Sequence, residues 1–320
     1  MAGDAWANPG RRPRCLKGMA HGYSAVVLAG GDGTRLRSLT RQLSGDDRPK
    51  QFCRLLGAQT LLAETRRRAR RLVPSDRLFS VVTCKHERFY RPELDDAAPG
   101  TVVVQPEARG TAPAILYALH RVAAVAPESP IVILPSDHYV SDDDAFMARV
   151  ESALEAAQAL PGTVILLGIE PDRPETEYGW IEPSELLLGP SPWPLYAVRR
   201  FWEKPPAPVA ERLAQAGCLW NSFVTVAHPG TLGRLIRRAV PRLVAAFAPL
   251  VARVGTPWED EAARAVYAGL PTTDFSKQVL QTMPADLAVL PVSGLEWNDL
   301  GDPARVLATW GRTSSRLVSA

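Results

Sequence analysis

The 320-residue chain carries only four cysteines, Cys15, Cys53, Cys84 and Cys218, scattered without a Cys-x-x-Cys pair. That spacing excludes a disulfide framework and a cysteine-rich zinc site, and it suits reduced thiols in a cytoplasmic protein. Histidine is nearly as scarce, with five residues and none paired at metal-ligand spacing. No apolar run approaches the roughly 18 residues that a membrane-spanning helix needs. Charge of one sign is also lacking. The 37 basic and 34 acidic residues leave a formal net charge of +3, too little to build the phosphate-tracking field of a nucleic-acid binder.

What remains is an ordinary globular composition, 46% hydrophobic and 22% charged, on a chain long enough to bury a large core. Residues 1–22 hold Arg11, Arg12, Arg14 and Lys17 with no apolar stretch before Ser24, and are expected to form a flexible tail ahead of the folded unit at 23–320. The run Arg66-Arg67-Arg68 with Arg70 and Arg71 follows Leu61 and Leu62 and reads as an amphipathic helix with a solvated arginine face.

Short β-type runs at Ser24 to Ala29, Leu78 to Thr83, Thr101 to Val104, Ile131 to Leu134 and Thr163 to Ile169 alternate with helical patterns at Leu61 to Leu72, Ala112 to Val125 and Ala145 to Leu160. Alternation of this kind predicts a wound α/β sheet that binds ligands beyond its strand ends. From Gly179 the pattern becomes mixed, with strands at Gly179 to Glu182, Leu195 to Trp202 and Leu219 to Ala227, then helices around Thr231 to Arg238 and Glu259 to Tyr267. This second half is expected to extend the same sheet and carry substrate loops. The 29 prolines, including the stretch Pro190 to Pro194, fall mostly between these runs and mark turns.

The segment Gly30-Gly31-Asp32-Gly33-Thr34-Arg35 follows the first buried strand, so its backbone N–H groups can form an anion-binding nest. Leu36 stands where a dinucleotide fingerprint needs its third glycine, and no Gly-Lys-Ser/Thr follows, so hydride transfer and P-loop chemistry are both disfavoured. Arg35 can fork onto phosphate oxygens, and Lys50 adds a point charge downstream, a pairing that suits a polyphosphate leaving group. A glycine turn with surface cations is the plainer alternative. Asp137 and Asp299 each follow an apolar, strand-like run and offer the hard oxygens that Mg²⁺ prefers; capping of the next helix is the competing role for both. His138 reads as a hydrogen-bonded neighbour of Asp137 and not as a metal ligand.

The ordered motifs Gly-Gly-Asp-Gly-Thr-Arg-Leu, Pro49-Lys50-Gln51-Phe52, Gln105-Pro106, Arg109-Gly110-Thr111-Ala112-Pro113-Ala114-Ile115, Pro135-Ser136-Asp137-His138, Tyr178-Gly179-Trp180-Ile181-Glu182, Glu203-Lys204-Pro205, Trp220-Asn221-Ser222 and Trp297-Asn298-Asp299-Leu300-Gly301 resemble those of the mannose-1-phosphate guanylyltransferases, within the sugar nucleotidyltransferases. The resemblance runs from Ala25 to about Leu307. It implies a Rossmann-like wound mixed sheet, with a nucleotide-binding half at about 23–170 and a sugar-binding half at about 171–312. It also implies transfer of GMP from GTP to mannose 1-phosphate, with Mg²⁺ as cofactor and release of pyrophosphate.

By that likeness Arg35, Lys50, Asp137 and Asp299 are the catalytic candidates, with the two aspartates holding the metal. Ala29, Gly30, Gly31, Gly33 and Thr34 face ribose and phosphates, while Gln105, Gly110 and Thr111 lie against the base. Gly179, Glu203 and Asn221 meet sugar hydroxyls, and Lys204 meets the sugar phosphate. The likeness allows a homo-oligomer and gives no role to nucleic acid or membrane.

The chain departs from the family pattern in a longer connection between Arg35 and Lys50, around Ser44-Gly45-Asp46-Asp47, in Ser38 where proline is usual, and in Phe223-Val224 where glycine usually follows Trp-Asn-Ser. It ends soon after the Asp299 motif, so a monofunctional enzyme is expected. Glucose 1-phosphate with UTP or dTTP is the nearest alternative substrate pair, and a catalytically silent nucleotide-sugar-binding regulator is the alternative of another class.

Overall fold

The computed structural model describes residues 22–189 and 193–318, with side chains up to residue 312. The expected tail before Gly22 and the proline-stretch residues 190–192 lie outside the described residues. Eleven strands occur among those described: β1 Ser24–Leu28, β2 Leu78–Thr83, β3 Val102–Gln105, β4 Ile131–Pro135, β5 Tyr139–Val140, β6 Val164–Ile169, β7 Gly179–Leu188, β8 Leu195–Glu203, β9 Leu219–Ala227, β10 Leu287–Val292 and β11 Trp297–Asn298. Nine form one sheet in the order β3-β2-β1-β4-β9-β6-β10-β8-β7, while β5 and β11 make a separate ribbon. No helix among the described residues is long and apolar enough to cross a membrane.

The central strands are buried on both faces, which is why they read as continuous apolar runs. Along β1, Ala25 and Val27 join one core and Val26 the other; along β4, Val132 and Leu134 oppose Ile131 and Ile133 in the same way. The helices Leu61–Ala69, Asp143–Ala159 and Ala207–Gln215 close the first core. Thr111–Val125, Pro229–Ala239 and Glu259–Ala268 close the second.

Strands β1 to β4 pair in parallel, so their carboxyl ends share one edge of the sheet. Antiparallel β9 is inserted between β4 and β6 and pairs Ile133 with Thr225, which sets Asn221 to Phe223 beside the end of β4. Beyond the sheet, the ribbon pairs Trp297 with Val140 and Asn298 with Tyr139, bringing Asp299 back next to Asp137 and His138. The topology thus gathers residues more than 150 positions apart at one edge.

The expected solvated arginine face is corrected at two positions. Arg66 and Arg68 are buried because each finds a carboxylate on another segment: Arg66 pairs with Asp96 at 2.8 Å, and Arg68 with Asp143 at 2.7 Å at the start of the helix Asp143–Ala159. A helical wheel of one segment cannot show a partner supplied by the next.

Candidate active site

The glycine loop is held from beneath by Gln51, a buried residue in the 3-10 turn Lys50–Phe52. Its amide donates to the carbonyls of Ala29 at 2.9 Å and Gly31 at 2.8 Å. Gly33 adopts φ 59° and leads into the 3-10 turn Thr34–Leu36, a conformation in which glycine meets no Cβ clash. A Cβ on Gly30 would lie 2.6 Å from Gln105 Nε2, so that glycine is required by close approach. Lys85 donates to Asp32 at 2.6 Å and neutralises the loop's own carboxylate. The longer connection folds onto itself: Gly45 ends the helix Arg37–Ser44 at φ 74°, Asp46 pairs with Arg48 at 2.7 Å, and Arg41 donates to Asp47 at 2.7 Å.

Lys50 is the hub of the site. Its ammonium donates to the carbonyls of Asp299 at 2.6 Å and Leu300 at 3.0 Å and lies 3.2 Å from Asp137 Oδ2. Asp299 Oδ1 accepts from Arg305 at 2.8 Å, the Gly301 N–H at 2.9 Å and the Tyr178 hydroxyl at 3.2 Å. Burial pushes the Asp299 carboxyl up, but the charges of Lys50 and Arg305 outweigh that and hold it below the usual range. Arg305 also reaches Glu175 at 2.9 Å and lies 4.6 Å from the Tyr178 ring centre. His138 is pushed down to about 4 by burial, against the opposing carboxylates of Asp137 and Asp299, so it is neutral near pH 7. It packs edge-on against Trp297 at 5.1 Å, its Nε2 faces Asp137 Oδ1 at 3.7 Å, and its Nδ1 has no hydrogen-bond partner among the described residues.

A cleft of about 400 Å³ opens at this edge of the sheet. Gly30, Gly31, Arg35, Lys50, Gln105, Gly110, Thr111, Asp137 and Asp299 all line it, while Gly33 and Thr34 line an adjoining recess of about 220 Å³ shared with Arg35, Lys50 and Asp137. Ala29 is buried beneath, its carbonyl given to Gln51. Gln105 Oε1 accepts from Tyr267 at 3.3 Å, which leaves its Nε2 toward Gly30. Gly110 and Thr111 have a second job. Thr111 Oγ1 accepts the Phe275 N–H at 2.8 Å, and Gly110, at φ 91°, packs directly on the Thr273 backbone, leaving no room for a Cβ.

The four sugar candidates sit beside the cleft and do not line it. Gly179 faces Glu203 across β7 and β8, and a Cβ on it would lie 3.0 Å from Glu203 Oε2 and 3.3 Å from Asn221 Cβ, so these three converge. Burial, followed by the nearby Asp274 charge, raises the Glu203 carboxyl to about 7. Lys204 Nζ lies 3.7 Å from Glu177 Oε2, the same oxygen that Arg35 reaches at 3.2 Å. Glu177 therefore ties Lys204 to Arg35. Lys204, Phe223 and Leu300 are the non-glycine residues at positive φ among those described, and all three border this site, a pattern expected of backbone strain held at a functional centre.

Sequence reasoning missed Gln51, Tyr178, Glu175, Glu177, Tyr267 and Arg305 as site residues. Gln51 and Tyr178 stand inside motifs already read and could have been found there. Arg305, one turn into a helix after Asp299, carried no signal of its own.

A model of the nucleotidyl transferase family matches residues 24–309. The mannose-1-phosphate guanylyltransferase of Escherichia coli strain K12 is 31% identical over 287 residues, 86% of this chain and 57% of that protein. The xanthan biosynthesis protein XanB of Xanthomonas campestris pv. campestris (strain ATCC 33913) is 30% identical over 289 residues, 88% of this chain and 58% of that protein. The chain thus spans somewhat over half the length of these curated relatives. Among solved structures, mannose-1-phosphate geranyltransferase from Thermus thermophilus superimposes with a TM-score of 0.74 at 34% identity, covering 87% of this chain and 76% of that one. A UDP-glucose pyrophosphorylase complexed with UDP-glucose shares the fold, with a TM-score of 0.56 at 13% identity over 92% of this chain and 99% of that one. The chain belongs to the nucleotidyl transferase family.

Proposed function

We propose that the protein transfers GMP from GTP to mannose 1-phosphate, giving GDP-mannose and pyrophosphate. The observation that carries this reading is the convergence of the glycine loop, Lys50, Asp137 and Asp299 on one cleft at the strand ends. The guanine and mannose identities lean on the E. coli relative, which bears that activity in its name. In this reading residues 23–170 serve the nucleotide and 171–312 the sugar, in a cytoplasmic enzyme.

The residues present fit a magnesium ion. Two carboxylates face one cleft, and Asp299 engages neighbouring donors through Oδ1 alone. That donor set suits a cation that takes its remaining ligands from phosphates and water. Asp137 and Asp299 would hold it, and when bound it supplies neutralising charge between nucleotide and sugar phosphate.

The chain's own residues would position two anions and receive the charge of the leaving group. An oxygen of the sugar phosphate attacks the α-phosphorus, the bond from that phosphorus to the bridging oxygen breaks, and pyrophosphate departs with the electron pair. Arg35 and Lys50 lie where they can hold the triphosphate and meet that growing charge. Lys204 would bind the sugar phosphate, with Gly179, Glu203 and Asn221 around the sugar hydroxyls. Neutral His138 adds no cation to the metal side.

Pyrophosphate release measured across a matrix of nucleoside triphosphates and sugar 1-phosphates tests the reading. The highest kcat/KM is expected for GTP with mannose 1-phosphate. A preference for UTP or dTTP with glucose 1-phosphate would overturn the substrate assignment, and tight binding of GDP-mannose with no turnover would overturn the enzyme.

A further inference from the structure

Gln105 ends strand β3, is buried, and lines the cleft. The strand order places the end of β3 three strands from the end of β4, about 14 Å at about 4.8 Å per strand. Asp137 follows β4, with Lys50 3.2 Å from it. These charged groups therefore lie at one end of the cleft and Gln105 at the other. Val81 of β2, which pairs with Val103 of β3, and Ala108 and Ala114, which follow β3, give that far end an apolar lining. A nucleoside triphosphate fits this polarity with its phosphates at Lys50 and its base at Gln105.

Two neighbours fix which way the Gln105 amide faces. The Tyr267 hydroxyl donates to Oε1 at 3.3 Å. Tyr267 is fully buried against the rings of Tyr117 and Phe247, and burial, followed by Tyr117, raises its pKa so that it keeps its proton. The hydroxyl also reaches the Pro113 carbonyl at 3.3 Å, but that carbonyl lies in the helix Thr111–Val125 and is served by the N–H four residues on, which leaves the proton for Gln105. On the other side, Gln105 Nε2 and Thr83 Oγ1 lie 2.6 Å and 3.0 Å from where a Cβ on Gly30 would stand. Thr83 gives its proton to the Gly30 carbonyl at 2.9 Å, so it turns only lone pairs toward Gln105 and favours the N–H side of the amide. The cleft meets a hydrogen-bond donor.

We propose that Tyr267, acting through Gln105, selects the base of the nucleotide: the amide donates to a ring carbonyl, as guanine, hypoxanthine, uracil and thymine offer, and rejects adenine and cytosine, whose amino groups would meet it donor to donor. Tyr267 is a positioning residue, since it touches Gln105 and not the nucleotide. This role rests on the reading of the cleft as a nucleotidyl-transfer site.

The test compares two pairs of triphosphates that differ at this edge of the base, ITP with ATP and UTP with CTP. Calorimetric Kd values and kcat/KM with mannose 1-phosphate are measured for the unaltered protein, Tyr267→Phe and Gln105→Met, with Tm to confirm that each variant is folded. In the unaltered protein the carbonyl-bearing member of each pair should bind at least about tenfold more tightly. Tyr267→Phe lets the amide turn over and should cut that ratio at least about fivefold, with the change in the KM of the triphosphate and not in that of the sugar phosphate. Gln105→Met should bring the two members within about twofold of each other. Equal Kd values for ITP and ATP in the unaltered protein, tighter binding of ATP, no measurable binding of any of the four, or an unshifted ratio in a folded Tyr267→Phe variant would overturn the proposal. The Kd ratios need no turnover, so the two readings fail separately: a preference for UTP over GTP, or absent pyrophosphate release, sinks guanylyl transfer, whereas a missing ITP preference sinks the role of Tyr267 and Gln105.

Discussion

Replacing Arg305 with methionine removes the support of Asp299 while keeping most of the side-chain volume. The guanidinium contacts Asp299 Oδ1 at 2.8 Å, Glu175 Oε2 at 2.9 Å and Asp302 Oδ2 at 3.1 Å. The side chains of Arg305, Asp299 and Glu175 are 10%, 18% and 13% exposed, so the substitution leaves two poorly solvated carboxylates without their partner. Breaking a buried pair in this way costs about 3–5 kcal/mol. Asp302, at 38% exposed, is screened by solvent and adds little. For a 320-residue chain the melting entropy is about 0.6–0.7 kcal/mol per degree, so Tm should fall by about 5–8 °C near pH 7. The sign with pH follows from Asp299. Its lowered carboxyl contributes stability present above the ordinary aspartate value and lost as pH falls through the lowered one; without Arg305 that carboxyl rises, so the gap in Tm narrows on acidification. Differential scanning calorimetry from about pH 2.5, below the ordinary aspartate value of about 3.9, up to about pH 8 measures both. A variant within 1 °C of the unaltered protein at about pH 7, or a gap that stays constant with pH, would refute the reasoning.

Asp137→Asn and Asp299→Asn should each lower kcat by at least about a hundredfold in pyrophosphate-release assays, the scale for losing one charge-stabilising element; near-normal rates would remove both from the metal site. Glu177→Gln frees Arg35 and Lys204 from a shared carboxylate that any phosphate must displace. Because Arg35, Lys204 and Glu177 are about half exposed, the KM values should fall only about two- to fivefold, and a rise in KM would show Glu177 to be an organiser instead. Glu203, raised to about 7, contributes stability present below the ordinary glutamate value and lost as pH climbs to about 7. Glu203→Gln should therefore gain in Tm relative to the unaltered protein over that window, and it should abolish a fall in the sugar-phosphate KM as pH rises through about 7; parallel melting curves would contradict the shift.

Much of the sheet was legible because its strands are buried on both faces. Leu78–Thr83 and Leu219–Ala227 agree with the pattern read from apolar runs to the residue, and Ser24–Leu28, Ile131–Pro135 and Val164–Ile169 to within one. Helix ends were softer: the segment from Leu61 ends at Ala69, with a turn in place of the last expected residues. Strand β10 was missed although it lies inside the sheet beside β6, because Pro291 and the close-set turns around it obscure a run of only six residues. The cleft-lining candidates Gly30, Gly31 and Asp137 were visible because each follows closely on the end of a buried strand. What the sequence hid are contacts made across distance: the Arg66 and Arg68 ion pairs, the Tyr267 bond to Gln105, and the Arg305 fork beneath Asp299. Gly110 shows the limit from the other side, since its motif position suggested a base contact while its φ of 91° is also fixed by packing on Thr273.

The central claim is that the sugar phosphate itself attacks the nucleotide in this cleft. Mannose 1-phosphate carrying heavy oxygen in its non-bridging phosphate positions, incubated with GTP, Mg²⁺ and the protein, tests this by mass spectrometry of the products. All of the label is predicted in the nucleotide sugar, with one labelled oxygen now bridging the two phosphorus atoms and none in pyrophosphate. Label in the released pyrophosphate, or a nucleotide sugar that has lost part of it, would contradict the account.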